Sequence, residues 1–206
     1  MTAKPPALIA NRLFASAGSG SPLANDNIDV ADFNKANEFI VVFQVDEAIG
    51  PWNAQYTLRW RNVTDAGSFA AIAATGEMAW GTGTALTNGS AITARWCQAT
   101  GAGGSSWQNG EQVEGAATSD AINLADEAYT EIAFAVNPAS AHDGDQYEFG
   151  LYDQTNGAAI GTGAAALTVA AGVVNYDRDT LVGLAAITGI QPIQGIGIFV
   201  PTEVDV

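Results

Sequence analysis

The chain holds a single histidine, His142, in the polar run Ser140-Ala141-His142-Asp143-Gly144, and a single cysteine, Cys97, beside Trp96. Histidine is the usual general base near neutral pH. A triad here would need Cys97 or Ser90 brought beside it, with Asp143 or Asp145 orienting the ring. No nucleophile-elbow spacing surrounds either candidate, so His142 reads as an exposed turn residue and Cys97 as a small, half-buried hydrophobe. Glycoside hydrolysis needs two carboxylates across a cleft, and Glu111 with Glu114, Asp126 with Glu127 and Asp143 with Asp145 all qualify by type. In so acidic a chain such pairs arise from abundance alone. Asp143/Asp145 and Asp177/Asp179 are spaced to share a calcium ion, though neither stretch has the EF-hand spacing. Gly81-Thr82-Gly83 and Gly101-Ala102-Gly103-Gly104 lack the lysine of a phosphate loop. The expectation is no catalytic set and no cofactor, with calcium the one ion left open.

Five tryptophans are the other chemical resource. Trp60 belongs to a core row, whereas Trp52, Trp80 and Trp107 lie near Pro or Gly in expected loops. Exposed there, they would stack on sugars or anchor a protein interface, and the interface is the preferred reading.

The elements that position these residues are strands. Residues 38–45 (EFIVVFQV), 55–61 (QYTLRWR), 129–136 (YTEIAFAV) and 146–152 (QYEFGLY) alternate at period two. Phe39/Val41/Phe43/Val45, Tyr56/Leu58/Trp60, Ile132/Phe134/Val136 and Tyr147/Phe149/Leu151 then form apolar rows, with Arg59, Arg61, Glu131 and Glu148 expected in water. Turn chemistry at Thr87-Asn88-Gly89, Asp143-Gly144-Asp145 and Thr155-Asn156-Gly157 separates about seven or eight short strands. The expected fold is all-β, an antiparallel immunoglobulin-like β-sandwich. Tyr147, after Gly144-Asp145-Gln146, is placed to be the corner tyrosine of such a fold or else a plain core tyrosine.

A net charge of −15, with only seven basic residues, argues against a surface that neutralises phosphates, so no direct nucleic-acid partner is expected. The charge-poor stretch 180–202 reaches membrane-spanning length. It is broken by Gly183, Gly189, Pro192, Gly195, Gly197 and Pro201 and lacks basic flanks, so no membrane span is read. Pro5, Pro6 and Asn11 interrupt the N-terminal apolar patch before a signal peptide could form.

Three segments follow: an N-terminal arm, 1–34, rich in Pro, Ala, Gly, Ser and Asn; a β-sandwich domain, 35–170; and a C-terminal arm, 171–206, ending in the β-prone GIGIFVPTEVDV. Ile196, Ile198 and Val200 alternate with Gly197 and Phe199, a pattern suited to a strand laid along another chain's edge.

In chain order come Phe43-Gln44-Val45, Tyr56-Thr57-Leu58-Arg59-Trp60-Arg61 with an Asn/Thr/Asp/Gly turn, Leu86-Thr87-Asn88-Gly89, Trp107-Gln108-Asn109-Gly110-Glu111, Tyr129-Thr130-Glu131-Ile132 and Asp145-Gln146-Tyr147-Glu148-Phe149. Over roughly residues 38–170 this series resembles a β-sandwich module of bacteriophage virion proteins, also seen in some bacterial surface proteins. Gly150 stands where the module's strand carries Arg. The resemblance implies a passive building block of a particle surface or an appendage; together with the absent signal peptide and catalytic set, it gives as the expectation a non-enzymatic virion structural protein, most readily a capsid decoration protein made in the host cytoplasm and held on the particle surface. Its partners would be the major capsid protein or other virion subunits and further copies of itself. Phe14, Trp52, Trp80, Trp107, Ile196, Ile198 and Phe199 are the expected interface anchors. A tail or fibre component, or a carbohydrate-binding or adhesive surface module, is the alternative.

Overall fold

The computed structural model describes residues 5–46, 50–99 and 106–172, and every regular element among them is a strand. The central pair is β3 (Phe39–Asp46) and β12 (Ala128–Asn137), antiparallel from Phe39 opposite Val136 to Asp46 opposite Tyr129. On one side β3 pairs antiparallel with β1 (Ala7–Ala15). The far edge of β12 is shared by three short strands: β9 (Ser106–Trp107) and β10 (Gly110–Val113), both parallel to it, and β7 (Ala79–Trp80), antiparallel. A Cβ at Gly110 would collide with the Glu131 carbonyl, so only glycine lets β10 approach β12 there. β8 (Ala91–Ile92) completes this seven-stranded sheet.

The second sheet runs β2 (Val30–Phe33), β14 (Ala158–Val169), β13 (Gln146–Asp153), β5 (Tyr56–Asn62), β6 (Ala70–Ala71). Here β2 is parallel to β14 and the other pairs are antiparallel. β4 (Trp52–Ala54) and β11 (Ile122–Leu124) form a small ribbon. The fold is all-β, as expected, but its sheets are mixed where a purely antiparallel sandwich was read.

The four expected aromatic rows meet in one core. Phe39, Val41, Phe43, Ile132, Phe134 and Val136 from the larger sheet pack against Tyr56, Leu58, Tyr147, Phe149 and Leu151 from the smaller. Phe39 stands edge-to-face on Phe149 with ring centroids 5.6 Å apart.

Two expectations are corrected. Residues 1–34 are no arm: β1 lies in the larger sheet, β2 in the smaller, and Phe14, read as an interface anchor, is only 1 % exposed. Burying Leu13 and Phe14 contributes about 2 kcal/mol each, enough to hold a strand in a Pro- and Ser-flanked segment. A bulge between Leu8 and Ala10 breaks the alternation, so Leu8 and Leu13 serve one core although they are five positions apart. Glu131, expected in water, is fully buried. The outer face of the larger sheet carries a second apolar layer in which Phe14, Ile40, Val42, Ala133 and Ala135 are covered by Leu86, Ile92 and Cys97. With both faces covered, β3 and β12 read as nearly continuous apolar runs.

The edge strand β1 is fastened to the opposite sheet by one side chain. The Asn11 amide donates to the Ala165 carbonyl at 3.1 Å and accepts from the Ala165 N–H at 2.8 Å, mimicking a peptide group. Gly163 makes the approach possible, since a Cβ there would run into the Asn11 amide.

Candidate functional site

The turn that carries His142 is built around Tyr147. Its hydroxyl accepts from the His142 N–H at 2.9 Å and donates to Glu77 Oε2 at 2.8 Å, the upstream backbone bond expected of a corner tyrosine. Burial, with the Glu77 carboxylate adding to it, pushes the Tyr147 phenol up. The Asn62 amide donates toward Asp145 Oδ2 at 2.7 Å, Glu77 Oε2 at 3.1 Å and Asp65 Oδ2 at 3.4 Å, and Asn62 Oδ1 accepts from the Asp65 N–H. Asp65, His142 and Asp145 each offer a ligand atom, all within 4.8 Å of one another, which is a donor set a divalent cation can take. Asp143 stands apart from this group, paired with Lys35 at 2.7 Å, so the expected Asp143/Asp145 pair does not converge. Asp177/Asp179 lie outside the described residues. As it stands, the cluster ties the end of β5, the loop before β7 and the start of β13 into one bracket.

Cys97 sits elsewhere, in the apolar layer over the larger sheet. Burial, reinforced by Glu131 and Asp26, pushes its thiol up, the reverse of what a nucleophile needs. The neighbouring backbone explains the buried acid. Glu131 accepts from the Trp96 N–H at 2.7 Å, the Cys97 N–H at 3.0 Å and the Gln44 amide at 3.2 Å, while Asp26 Oδ2 accepts from the Gln98 and Ala99 N–H groups at 2.7 Å each. Two carboxylates thus hold four consecutive backbone amides. Arg12 completes the arrangement by donating to the Ala24 and Trp96 carbonyls beside Asp26. Burial leaves the Glu131 carboxyl above its ordinary value of 4.5 despite these donors. The structure does not bring Cys97 and His142 together, and Ser90 serves in a turn with Thr87.

The tryptophans read as loop anchors are all half-buried. Trp52 packs on the main core and donates from Nε1 to Asp153 at 2.8 Å. Trp80 lies in β7, and Trp107 stands edge-to-face on Tyr129 at 5.5 Å. A cleft of about 320 Å³ beyond Trp107 is lined by Gln108, Asn109, Glu111, Asp120 and Asn123. Burial pushes the Glu111 carboxyl up, and its Oε1 accepts from the Asp120 N–H, whereas Glu114 turns to Thr84. Ile196, Ile198 and Phe199 lie outside the described residues.

The outer face of the smaller sheet holds a site not anticipated from the sequence. Along β5, Tyr56 and Leu58 point into the core, so Arg59 and Arg61 point out. The register sets Arg61 opposite Glu148, and the two pair at 2.7 Å; it sets Arg59 opposite Gly150, which has no side chain. Arg59 instead lays its guanidinium over the Tyr152 ring, 3.5 Å from the centroid, as Phe69 closes over Gly150. Arg59, Phe69, Gly150, Tyr152, Ala159 and Thr162 line a cavity of about 130 Å³. Among the described residues Arg12, Lys35 and Arg61 each have a carboxylate partner, whereas Arg59 and Arg95 have none; Arg95 is exposed, while Arg59 is half-buried with its Nε shielded and without a hydrogen bond. The signal for this site was a glycine inside a strand, Gly150 in β13.

In comparisons with known proteins, no family model matches the chain, and no curated protein or solved structure matches it significantly.

Proposed function

We propose that the chain is a non-enzymatic structural subunit of a bacteriophage virion, a decoration protein at the particle surface, attached to the major capsid protein and neighbouring copies through residues 171–206. The observation that carries this reading is how little apolar side chain the body offers outside. Ile28, at 54 % exposure, is the one large hydrophobic residue classed as exposed among those described. Attachment by apolar contact therefore falls to the chain beyond Gly172, whose sequence supplies Ile196, Ile198, Val200 and Phe199 with no charge between Asp179 and Glu203. Tyr147 supports relating the mixed-sheet sandwich to the immunoglobulin type, through its bond to the His142 backbone.

Removing residues 173–206 tests the reading. The shortened chain is expected to keep its cooperative melting transition and to lose occupancy on particles. Undiminished occupancy overturns it. Removing residues 1–30 is no equivalent test, because it takes away β1 and with it part of both apolar layers.

A carbohydrate-binding module is the second reading, favoured by the polar cleft at Gln108, Asn109, Glu111, Asp120 and Asn123, whose amides and carboxylates suit sugar hydroxyls. Specific glycan-array binding that is lost in Asn123→Ala would shift the assignment to it.

A further inference from the structure

Resting on the reading above, we infer that the Arg59 cavity on the outer face of β5 and β13 is the receptor for the acidic C-terminal segment of a second copy, residues 196–206, seated with an apolar side chain in the cavity and the Glu203 or Asp205 carboxylate on the guanidinium. Three observations converge on this occupant.

First, the site is built, and none of the described residues puts an acceptor on the guanidinium. The β5–β13 register places glycine opposite Arg59, Tyr152 fixes the guanidinium from one side, and Phe69 walls the cavity from above. A shielded guanidinium nitrogen without an acceptor carries a desolvation cost that an incoming carboxylate removes by charge-assisted hydrogen bonding.

Second, charge selects the partner. Arg12, Lys35 and Arg61 are already engaged by Asp26, Asp143 and Glu148, the exposed Arg95 donates to the Ala99 carbonyl, and the chain as a whole carries −15. An acidic strand is repelled by most of this surface and is attracted where a half-buried arginine lacks a counter-ion.

Third, the size and chemistry fit. A cavity of about 130 Å³ between Phe69, Tyr152 and Ala159 accepts one apolar side chain beside the cation. The segment from Ile196 joins an apolar run, Ile198-Phe199-Val200, to the first acidic residues after Asp179, namely Glu203 and Asp205.

The test is a charge swap in the full chain, read by sedimentation velocity over a range of protein and salt concentrations. The unaltered chain is expected to associate with concentration, less so as salt screens the pair. Arg59→Glu alone and the double change Glu203→Arg with Asp205→Arg alone are each expected to weaken self-association at least about tenfold, roughly 1.4 kcal/mol. Mixing the two is expected to restore association, because the acidic pocket of one then faces the basic segment of the other. The segment changes fall outside Met1–Gly172, the unit that carries Arg59, so they report even if Arg59→Glu were to disturb folding. Association of either variant at full strength, a mixture that stays monomeric while the unaltered chain associates, or an unaltered chain monomeric at every concentration overturns the inference. Particle occupancy separates the two proposals. Occupancy retained in Arg59→Glu, with self-association lost, leaves capsid attachment standing, whereas occupancy retained after removal of 173–206 defeats attachment itself.

Discussion

The outer faces of the two large sheets have opposite characters. Over β3 and β12 the chain from Leu86 to Ala99 folds back, seals a second apolar layer and brings its backbone amides onto Glu131 and Asp26. Over β5 and β13 the described residues supply no such cover: Arg61 meets Glu148, while Arg59 stacks on Tyr152 beside a cavity and has no acid among them. A buried carboxylate surrounded by donors is a device for holding one conformation. A half-buried guanidinium without an acceptor is a device for meeting something else. The first face belongs to the stability of the body; the second is the face on which the inferred contact with another copy rests.

Substitutions sharpen the contrast. Glu131→Ala has the largest expected effect: it leaves the Trp96 and Cys97 amides and the Gln44 side chain without their acceptor and opens a void, at a cost of about 3 kcal/mol or more in urea denaturation. Glu131→Gln probes the same face through pH. Because the folded protein holds the Glu131 proton more tightly than the unfolded chain, the site contributes its stability below about pH 4.5 and loses it as pH rises through the elevated folded value. The stability advantage of the unaltered chain over Glu131→Gln is therefore expected to shrink with rising pH across that window; a constant gap would contradict the burial argument. The smallest effect is expected at Arg59→Ala, whose thermal unfolding should shift by less than about 1 kcal/mol, since no ion pair is lost. A large loss there would make Arg59 part of the scaffold and remove the contrast.

What the sequence disclosed follows the same division. Where a strand has one face in the core and turn residues at its ends, as at Tyr56 to Asn62 and Gln146 to Asp153, alternation located it to within a residue or two. The covering layer was illegible because Leu86, Ile92, Trp96 and Cys97 have no period; all but Ile92, in the two-residue β8, sit in loops, and the course of this stretch depends on where two acids from distant segments lie. β1 was hidden by its bulge, and the parallel partners of β12 and β14 by their shortness. The Arg59 site needed the pairing register, since only alignment of β5 with β13 shows that the residue facing this arginine is Gly150. His142, Asp143 and Asp145 were rightly placed in one turn, but their partners, Asn62, Asp65, Glu77 and Lys35, came from sequence positions that no spacing rule connects.

The Asn11 side chain, 154 positions away from Ala165, has a consequence for how the protein is made. A nascent chain can pair its first strand with β3 early, yet that strand's polar side chain has no acceptor until β14 has emerged from the ribosome. The joining of β1 to β14 is therefore delayed to the end of synthesis of the body, and refolding should be slow, governed by this distant encounter rather than by the nearby hairpins.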